Sequence, residues 1–391
     1  MKIGLIHHYY EKSIPSGENL SVNNILDIMS KNNEVSVWSD QTILSQSKLS
    51  LFNLVYLFRH FIYDYRNKEF KKWVQDQDGI QIHNNFPLLT LTNIWTLRKA
   101  SNKIPIFRVV HNYRLSCLKG THIRNSSHCF KCGVENFSPG IIRACYKSSF
   151  LLSLLVSINT KLLRYVIEVS KKSSYIAISS NISEYLSPFT KKEIILIKHF
   201  IDVKDEQISP SASDALYLGR LDPEKNVKKF LQAWLNLLDE GYIMPVLHVI
   251  GTGSQSNDCR EICSVYPQKI IFYGHLTGRD LEEVRKQCKL FVFTSLWKEP
   301  FGRSVMEAAA YGMFIIGNRS PLAETLIEQG INGAFLEDDY KNLFDCITFG
   351  LKSDLESHIN VSKQKFIYEN GISTPEIWEK AYRKYQFPGS D

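Results

Sequence analysis

Short apolar runs alternate with longer stretches of helical spacing along the whole chain. In the first half Ile3 to Ile6, Val35 to Trp38, Ile80 to His83, Ile106 to Val110, Tyr175 to Ser179 and Ile194 to Ile197 read as strands. The second half repeats the series with Ala215 to Leu218, Val246 to Ile250, Ile270 to Tyr273, Leu290 to Phe293, Phe314 to Ile316 and Gly333 to Leu336. Runs that are apolar throughout, separated by helix-length segments, predict parallel sheets covered on both faces and joined by right-handed crossovers. A chain of 391 residues exceeds the usual size of one core, so two domains of nearly equal size are expected. Between the two series, Val203 to Asp214 is polar, contains Pro210 and several serines, and reads as a linker. The expected fold class is α/β, with two doubly wound domains at 1–203 and 204–373 and a closing segment, 374–391, whose helix lies around Pro375 to Tyr385.

The segment from Glu299 to Ala310 concentrates the candidate chemistry. It follows the apolar run Leu290 to Ser295, and Val305 to Tyr311 suits a helix ended by Gly312. Amides of Phe301, Gly302, Arg303 and Ser304 would sit unpaired at that helix start, where partial positive charge suits a diphosphate. Glu299 lies before the helix and Glu307 inside it; at about 1.5 Å rise per residue the carboxylates stand roughly 10 Å apart, the reach of a sugar and a nucleotide ribose. Paired carboxylates in glycosidases flank the scissile bond instead. The helix start between these two favours phosphate binding.

Further pieces lie in order along the chain: Ser16-Gly17-Glu18, Val110-His111-Asn112, the stretch Tyr217 to Lys225, Val249-Ile250-Gly251-Thr252-Gly253, and Phe272-Tyr273-Gly274-His275-Leu276. Together with Glu299 to Ala310 they resemble the retaining glycosyltransferases of family four, which have the GT-B architecture of two facing Rossmann-like domains. The resemblance implies that Arg220 and Lys225 hold the donor pyrophosphate and steady the departing group. It implies that Gly17 lines the site near the diphosphate, that His111 contacts the donor sugar beside its anomeric carbon, and that Glu299 accepts hydroxyls of the transferred sugar. Glu307 is expected on the nucleotide ribose, with Gly253, His275, Phe301, Gly302, Arg303 and Ser304 on the donor side and Glu324 as a second-rank nucleotide contact. His83 and His199 are supporting residues, and the closing helix packs back on the amino-terminal domain.

Three departures from the family pattern stand out. Ser320-Pro321-Leu322-Ala323-Glu324 replaces a Gly-Gly-containing run, His199-Phe200-Ile201-Asp202 replaces an Asn-Gly run and leaves His199 without a role, and Asp76-Gln77-Asp78 reads as a polar turn. No catalytic magnesium is expected. The reading is a metal-independent retaining glycosyltransferase that moves a sugar from a UDP- or GDP-linked donor to a glycan or lipid-linked oligosaccharide acceptor in bacterial surface polysaccharide biosynthesis. A sugar-nucleotide epimerase or hydrolase of the same architecture and a non-catalytic sugar-nucleotide-binding assembly subunit are the alternatives.

Lys plus Arg less Asp plus Glu is 47 − 40 = +7, which favours anionic partners. The basic residues are spread among donor-site elements and form no dedicated stripe, so nucleic acid is set aside. Met1 to Ile6 moves directly into a strand and lacks the pattern of a signal peptide, so a cytoplasmic protein is expected, peripheral on the inner face of the plasma membrane. Leu51 to Trp73 carries an apolar stripe with Arg59, Arg66, Lys68, Lys71 and Lys72, which suits both a helix on anionic lipid and one packed on a core. No apolar run reaches the eighteen or so residues of a spanning helix; the longest, Phe150 to Ile158, reads as a buried helix.

Four of the eight cysteines, Cys117, Cys129, Cys132 and Cys145, form a C-x11-C-x2-C-x12-C pattern in a loop at about 112–145. The central pair has the bite of a tetrahedral zinc site, which would be structural and closed to water. Buried free thiols or a redox pair fit the same spacing. A similar loop occurs in a subgroup of the resembling glycosyltransferases.

Overall fold

The protein is seen in a computed structural model that describes residues 1–9, 16–39, 61–62, 66–201, 208–371 and 374–386. The chain forms two compact units, Met1–His122 with Cys129–His199 and Ile372–Asp391, and Ile123–His128 with Phe200–Gly371.

The first unit is built on β1 (Lys2–Ile6), β2 (Glu34–Trp38), β3 (Gly79–Ile82), β4 (Ile106–Val110), β7 (Ser173–Ala177) and β8 (Ile194–Leu196). All pair in parallel, in the order β2-β1-β3-β4-β7-β8. Between β4 and β7 lies a two-strand hairpin, β5 (Ile123–Arg124) with β6 (Ser127–His128), turned by Asn125 and Ser126 at φ of 50° and 56°. Helices α1 (Gly17–Met29), α2 (Asn67–Gln75), α3 (Leu91–Ala100), α4 (Ser138–Ile142), α5 (Phe150–Val169) and α6 (Ser180–Leu186) connect the strands. Several begin where a side chain closes the first turn: Ser16 accepts from the Asn19 amide, Thr90 forms a capping box with Asn93, and Ser149 and Ser179 cap α5 and α6.

The second unit stacks β9 (Asp214–Leu218), β10 (Leu247–Ile250), β11 (Ile270–Gly274), β12 (Cys288–Phe293), β13 (Phe314–Asn318) and β14 (Gly333–Leu336) in the order β11-β10-β9-β12-β13-β14, again all parallel. Its helices are α7 (Val227–Asp239), α8 (Ser256–Cys263), α9 (Gly278–Gln287), α10 (Arg303–Ala310), α11 (Pro321–Leu326), α12 (Leu343–Lys352) and α13 (Leu355–Glu369). One face of the sheet packs Tyr217, Val249, Leu290 and Phe314 against Phe230 and Trp234 of α7. The other packs Leu216, Phe291 and Ile315 against Val305, Met306 and Ala309 of α10. Every apolar run read as a strand is one, as expected where strands covered on both faces are largely apolar along their length.

The last helix, α14 (Pro375–Gln386), lies in the first unit. Trp378 and Tyr382 are fully buried, Tyr382 meets Phe107 edge-on at 5.0 Å, and Lys384 pairs with Glu193 at 2.8 Å. Gly79 makes this docking fit: a Cβ there would stand 2.4 Å from Tyr382 Cε1.

The structure departs from the sequence reading in three places. The helix read as Phe150 to Ile158 runs to Val169 and, by length and composition, is long and apolar enough to cross a membrane. It nevertheless buries one face in the unit, and its polar residues turn inward: Asn159 donates to the Leu89 carbonyl at 2.8 Å and Ser153 Oγ accepts from the Tyr146 amide at 2.9 Å. Of the expected linker, 203–207 lies outside the described residues, Ile208 is buried, and Asp214 already opens β9. Most of the stripe from Leu51 lies outside the described residues; its last part is α2, which buries Phe70 and Val74 and leaves Lys68, Lys71 and Lys72 exposed.

Candidate functional site

In the second unit the strand order reverses between β9 and β12, and open parallel sheets bind ligands at the carboxyl ends of strands beside such a reversal. The loop after β9 carries Arg220 and Lys225; the loop after β12 carries Glu299. The two loops are tied together. Thr294 Oγ1 donates to the Lys225 carbonyl at 2.6 Å, and the Leu296 amide donates to the Glu224 carbonyl at 3.0 Å.

Lys225 Nζ pairs with Glu299 Oε1, which also accepts from Ser295 Oγ at 2.8 Å, and the ammonium lies 5.3 Å from the centroid of Trp297. Glu299 is buried, whereas the Arg220 side chain is 39% exposed while it pairs with Asp222 and, at 2.7 Å, with Glu224. Burial works to lower the Arg220 pKa, and Asp222 and Glu224 outweigh it, so the net shift is upward. Two cations thus stand among three carboxylates.

Gly302 caps α10 at φ +66°, in the left-handed region, and no side chain closes the first turn. A Cβ at Gly302 would lie 2.2 Å from Leu322 Cδ2. Gly302→Ala should therefore lose about 2 kcal/mol or more of stability in urea unfolding, from backbone strain and overpacking together. Arg303, Ser304 and Phe301 are half-buried around that helix start. Inside α10, Glu307 accepts from Arg303 Nε at 2.8 Å through one oxygen and pairs with Arg285 through the other. Glu324 is exposed and 3.7 Å from Arg319. His275 is exposed just past β11. Gly253 has a structural reason for being glycine: a Cβ would stand 2.4 Å from the Leu221 carbonyl oxygen, and its amide donates to Ser256 Oγ at 2.8 Å.

In the first unit Gly17 opens α1, and a Cβ there would meet nothing within 4 Å. The order of the strands reverses between β1 and β3, and histidines follow the strands at this end: His7 after β1, His83 after β3, His111 after β4. His83 Nε2 faces Gln81 Oε1 at 3.1 Å, His83 Nδ1 faces His111 Nε2 at 2.8 Å, and His111 Nδ1 faces His199 Nε2 at 3.3 Å. With Gln81 accepting from His83, His83 and His111 each donate through Nε2 and accept at Nδ1, and His199 donates through Nε2. Both nitrogens of His111 are engaged, and His199, without a role from sequence, is one of its two partners. His7, which sequence reasoning missed, bonds Asn19 at 3.1 Å and lies edge-on to His83; its signal was its place directly after a strand end. Burial pushes His7 down to about 4 and lowers His83 and His111 well below the usual value, so all three rings are neutral near pH 7.

The four-cysteine loop is ordered by apolar packing: Leu118 and Phe137 join Phe61, Phe86, Leu155 and Val156, with Cys132, Ile141, Cys145 and Tyr146 against them. Burial pushes the Cys132 thiol up to about 11, and Cys117, Cys145 and Cys129 add to the effect. Four thiols would suit zinc, yet among the described residues no group of three or more His, Cys, Asp or Glu is placed to hold a metal ion.

Residues 201–364 match the family of glycosyl transferases group 1. The matched stretch contains Arg220, Lys225, Glu299 and Glu307. Among solved structures, sucrose-phosphate synthase from Thermosynechococcus elongatus superposes with a TM-score of 0.63 at 14% identity, over 98% of this chain and 96% of that one. Anabaena HepE in complex with UDP-glucose gives 0.61 at 17% identity, over 97% and 99%. TarM gives 0.57 at 16% identity; the match covers 86% of this chain and 58% of TarM. The chain has the GT-B fold, and the group 1 match lies in its second half. No curated protein matches it.

Proposed function

We propose that this protein is a metal-independent retaining glycosyltransferase that moves a sugar from a UDP- or GDP-linked donor to a glycan acceptor in bacterial surface polysaccharide biosynthesis. The observation that carries the reading is the joining of Arg220, Lys225 and Glu299 at the strand-order reversal of the group 1 domain. Solved relatives of this fold with UDP-glucose, and with UDP and α-GlcNAc-glycerol, support a nucleotide-sugar donor.

In this reading the diphosphate meets Arg220 and Lys225, and their charge steadies the leaving group as it departs. The amides at the start of α10 add to that field. Glu299 takes hydroxyls of the transferred sugar, and Glu307, oriented by Arg285 and Arg303, takes the ribose. His111 meets the sugar as a neutral imidazole. Retention follows from acceptor attack on the face the leaving group vacates, a phosphate oxygen taking the acceptor proton. A lipid-linked acceptor is supported by the face of α2 and α3, where a cavity of about 790 Å³ is lined by Val74, Leu91 and Trp95 with Lys71, Lys99 and Lys103 beside them.

A panel of donors with linkage analysis of the product tests the reading. Transfer with retained anomeric configuration, unaffected by EDTA, is expected, with losses of about 100-fold or more in Arg220→Gln and Glu299→Gln. Donor turnover without acceptor would point to an epimerase or hydrolase, and donor binding with no turnover to a binding subunit. Undiminished transfer in both variants would remove the site.

A further inference from the structure

The amino-terminal unit buries a cation that the donor chemistry does not use. Arg108 sits in the middle of β4, whose five residues are all buried, and it is only 6% exposed. Arginine is almost never so deeply buried without a partner for its charge. Among the described residues its Nη1 has no hydrogen-bond partner. Burial lowers its pKa to about 10; Tyr175 and Tyr185 act in the opposite direction and Arg114 adds to the lowering, and among the described residues no carboxylate is a leading influence on it. Desolvation without a counter-charge is the most costly arrangement open to a guanidinium.

The space beside it is polar. Arg108, Arg114, Asn84, Asn85, His111 and Glu18 are among the residues lining a pocket of about 20 Å³. Arg114 Nη1 donates to Asn84 Oδ1 at 3.3 Å, and its guanidinium lies 5.4 Å from the centroid of Tyr146, which hold the second cation toward the first. A volume of that size admits about one oxygen atom.

We propose that this pocket is an oxyanion subsite: one oxygen of a phosphate or carboxylate group enters it and is held by Arg108, with Arg114 beside it. A charge-assisted bond from a buried guanidinium to an anionic oxygen supplies the partner Arg108 lacks, and two arginines select an anion over a neutral hydroxyl. Glu18, in the same lining, works against the anion and limits its affinity. The pocket borders the proposed donor site through His111, but the test below reads anion binding alone and holds whether or not the protein transfers sugar.

Thermal unfolding of the full chain in inorganic phosphate and in acetate, at ionic strength matched with chloride, tests it. The wild type should be stabilised by one or both anions beyond chloride, with a folding equilibrium shifted about 100-fold when the anion stands 100 times above its dissociation constant. A shift with phosphate alone identifies a phosphoryl group, and one with acetate as well identifies a carboxylate. Arg108→Met should fold as well as the wild type, having lost an unpaired buried cation, and should lose that shift. Glu18→Gln should enlarge it and Arg114→Gln reduce it, which keeps the test open if Arg108→Met does not fold. Equal shifts in wild type and variants, or no shift beyond chloride, would overturn the proposal and leave a single water as the pocket's occupant.

Discussion

Lys225→Met should destabilise the carboxyl-terminal unit by about 3–5 kcal/mol and abolish sugar transfer, because it strands a buried carboxylate. Glu299 has its side chain 6% exposed, and Lys225, 16% exposed, is the cation paired with it. With the ammonium gone, Ser295 remains as a neutral donor to the same oxygen, which does not balance a full charge. The double variant Lys225→Met, Glu299→Gln removes both charges and should recover most of the lost stability while remaining inactive. Urea unfolding of the two variants decides the matter: if the single change costs less than about 1 kcal/mol, the pair is not the buried charge couple described. Recovery of stability without recovery of activity separates the structural part of the pair from its part in catalysis.

Acidification should unfold the amino-terminal unit first. His7, His83 and His111 are neutral in the folded protein, their pKa values depressed chiefly by burial, whereas in the unfolded chain each takes up a proton below its usual value of 6.5. The unfolded state therefore binds more protons, and stability falls as the pH drops through 6.5. For His7 the loss is complete near pH 4, where the folded protein takes up its own proton. From pH 7 to pH 5 His7 should withdraw about 2 kcal/mol, and His83 and His111 add to the loss in the same direction. The second unit holds His358, lowered to about 4 mainly by burial, and should lose about as much as His7 alone withdraws from the first. Denaturant unfolding followed at both pH values, with His83→Gln as a control that shrinks the dependence, checks the sign and the size. A unit whose stability rises on acidification would mean that the histidine row is protonated when folded.

The strands were legible because a parallel sheet between helices favours nearly continuous apolar runs of about four to eight residues, too short for a buried helix. The loop positions of Arg220, Lys225 and Glu299 followed from the same reading, since polar residues directly after apolar runs fall at strand ends. What the sequence could not disclose are contacts between distant positions. Arg285 reaches Glu307 from α9, His199 reaches His111 from the end of β8, and neither pairing leaves a local pattern. Gly253 was expected on the donor side from the resemblance alone; the Leu221 carbonyl beside it is a packing reason for a missing side chain that no local pattern disclosed. Helix α5 was read too short because Asn159 and Thr160, followed by Lys161, end its apolar run, although Asn159 and Thr160 are buried. Arg108 and Lys289 are charges inside buried strands; Lys289 donates to the Leu351 and Ser353 carbonyls, whereas the meaning of Arg108 needed the pocket.

The return of α14 to the first unit makes the second an insertion within it. Gly79 receives Tyr382, so a strand synthesised before the second unit waits for a ring synthesised after it. A nascent chain stalled after residue 371 would hold a complete second unit and an unfinished first one, with Gly79 and Phe107 of its two central strands no longer covered by Tyr382. Chaperone dependence during synthesis should thus concentrate on the half that leaves the ribosome first.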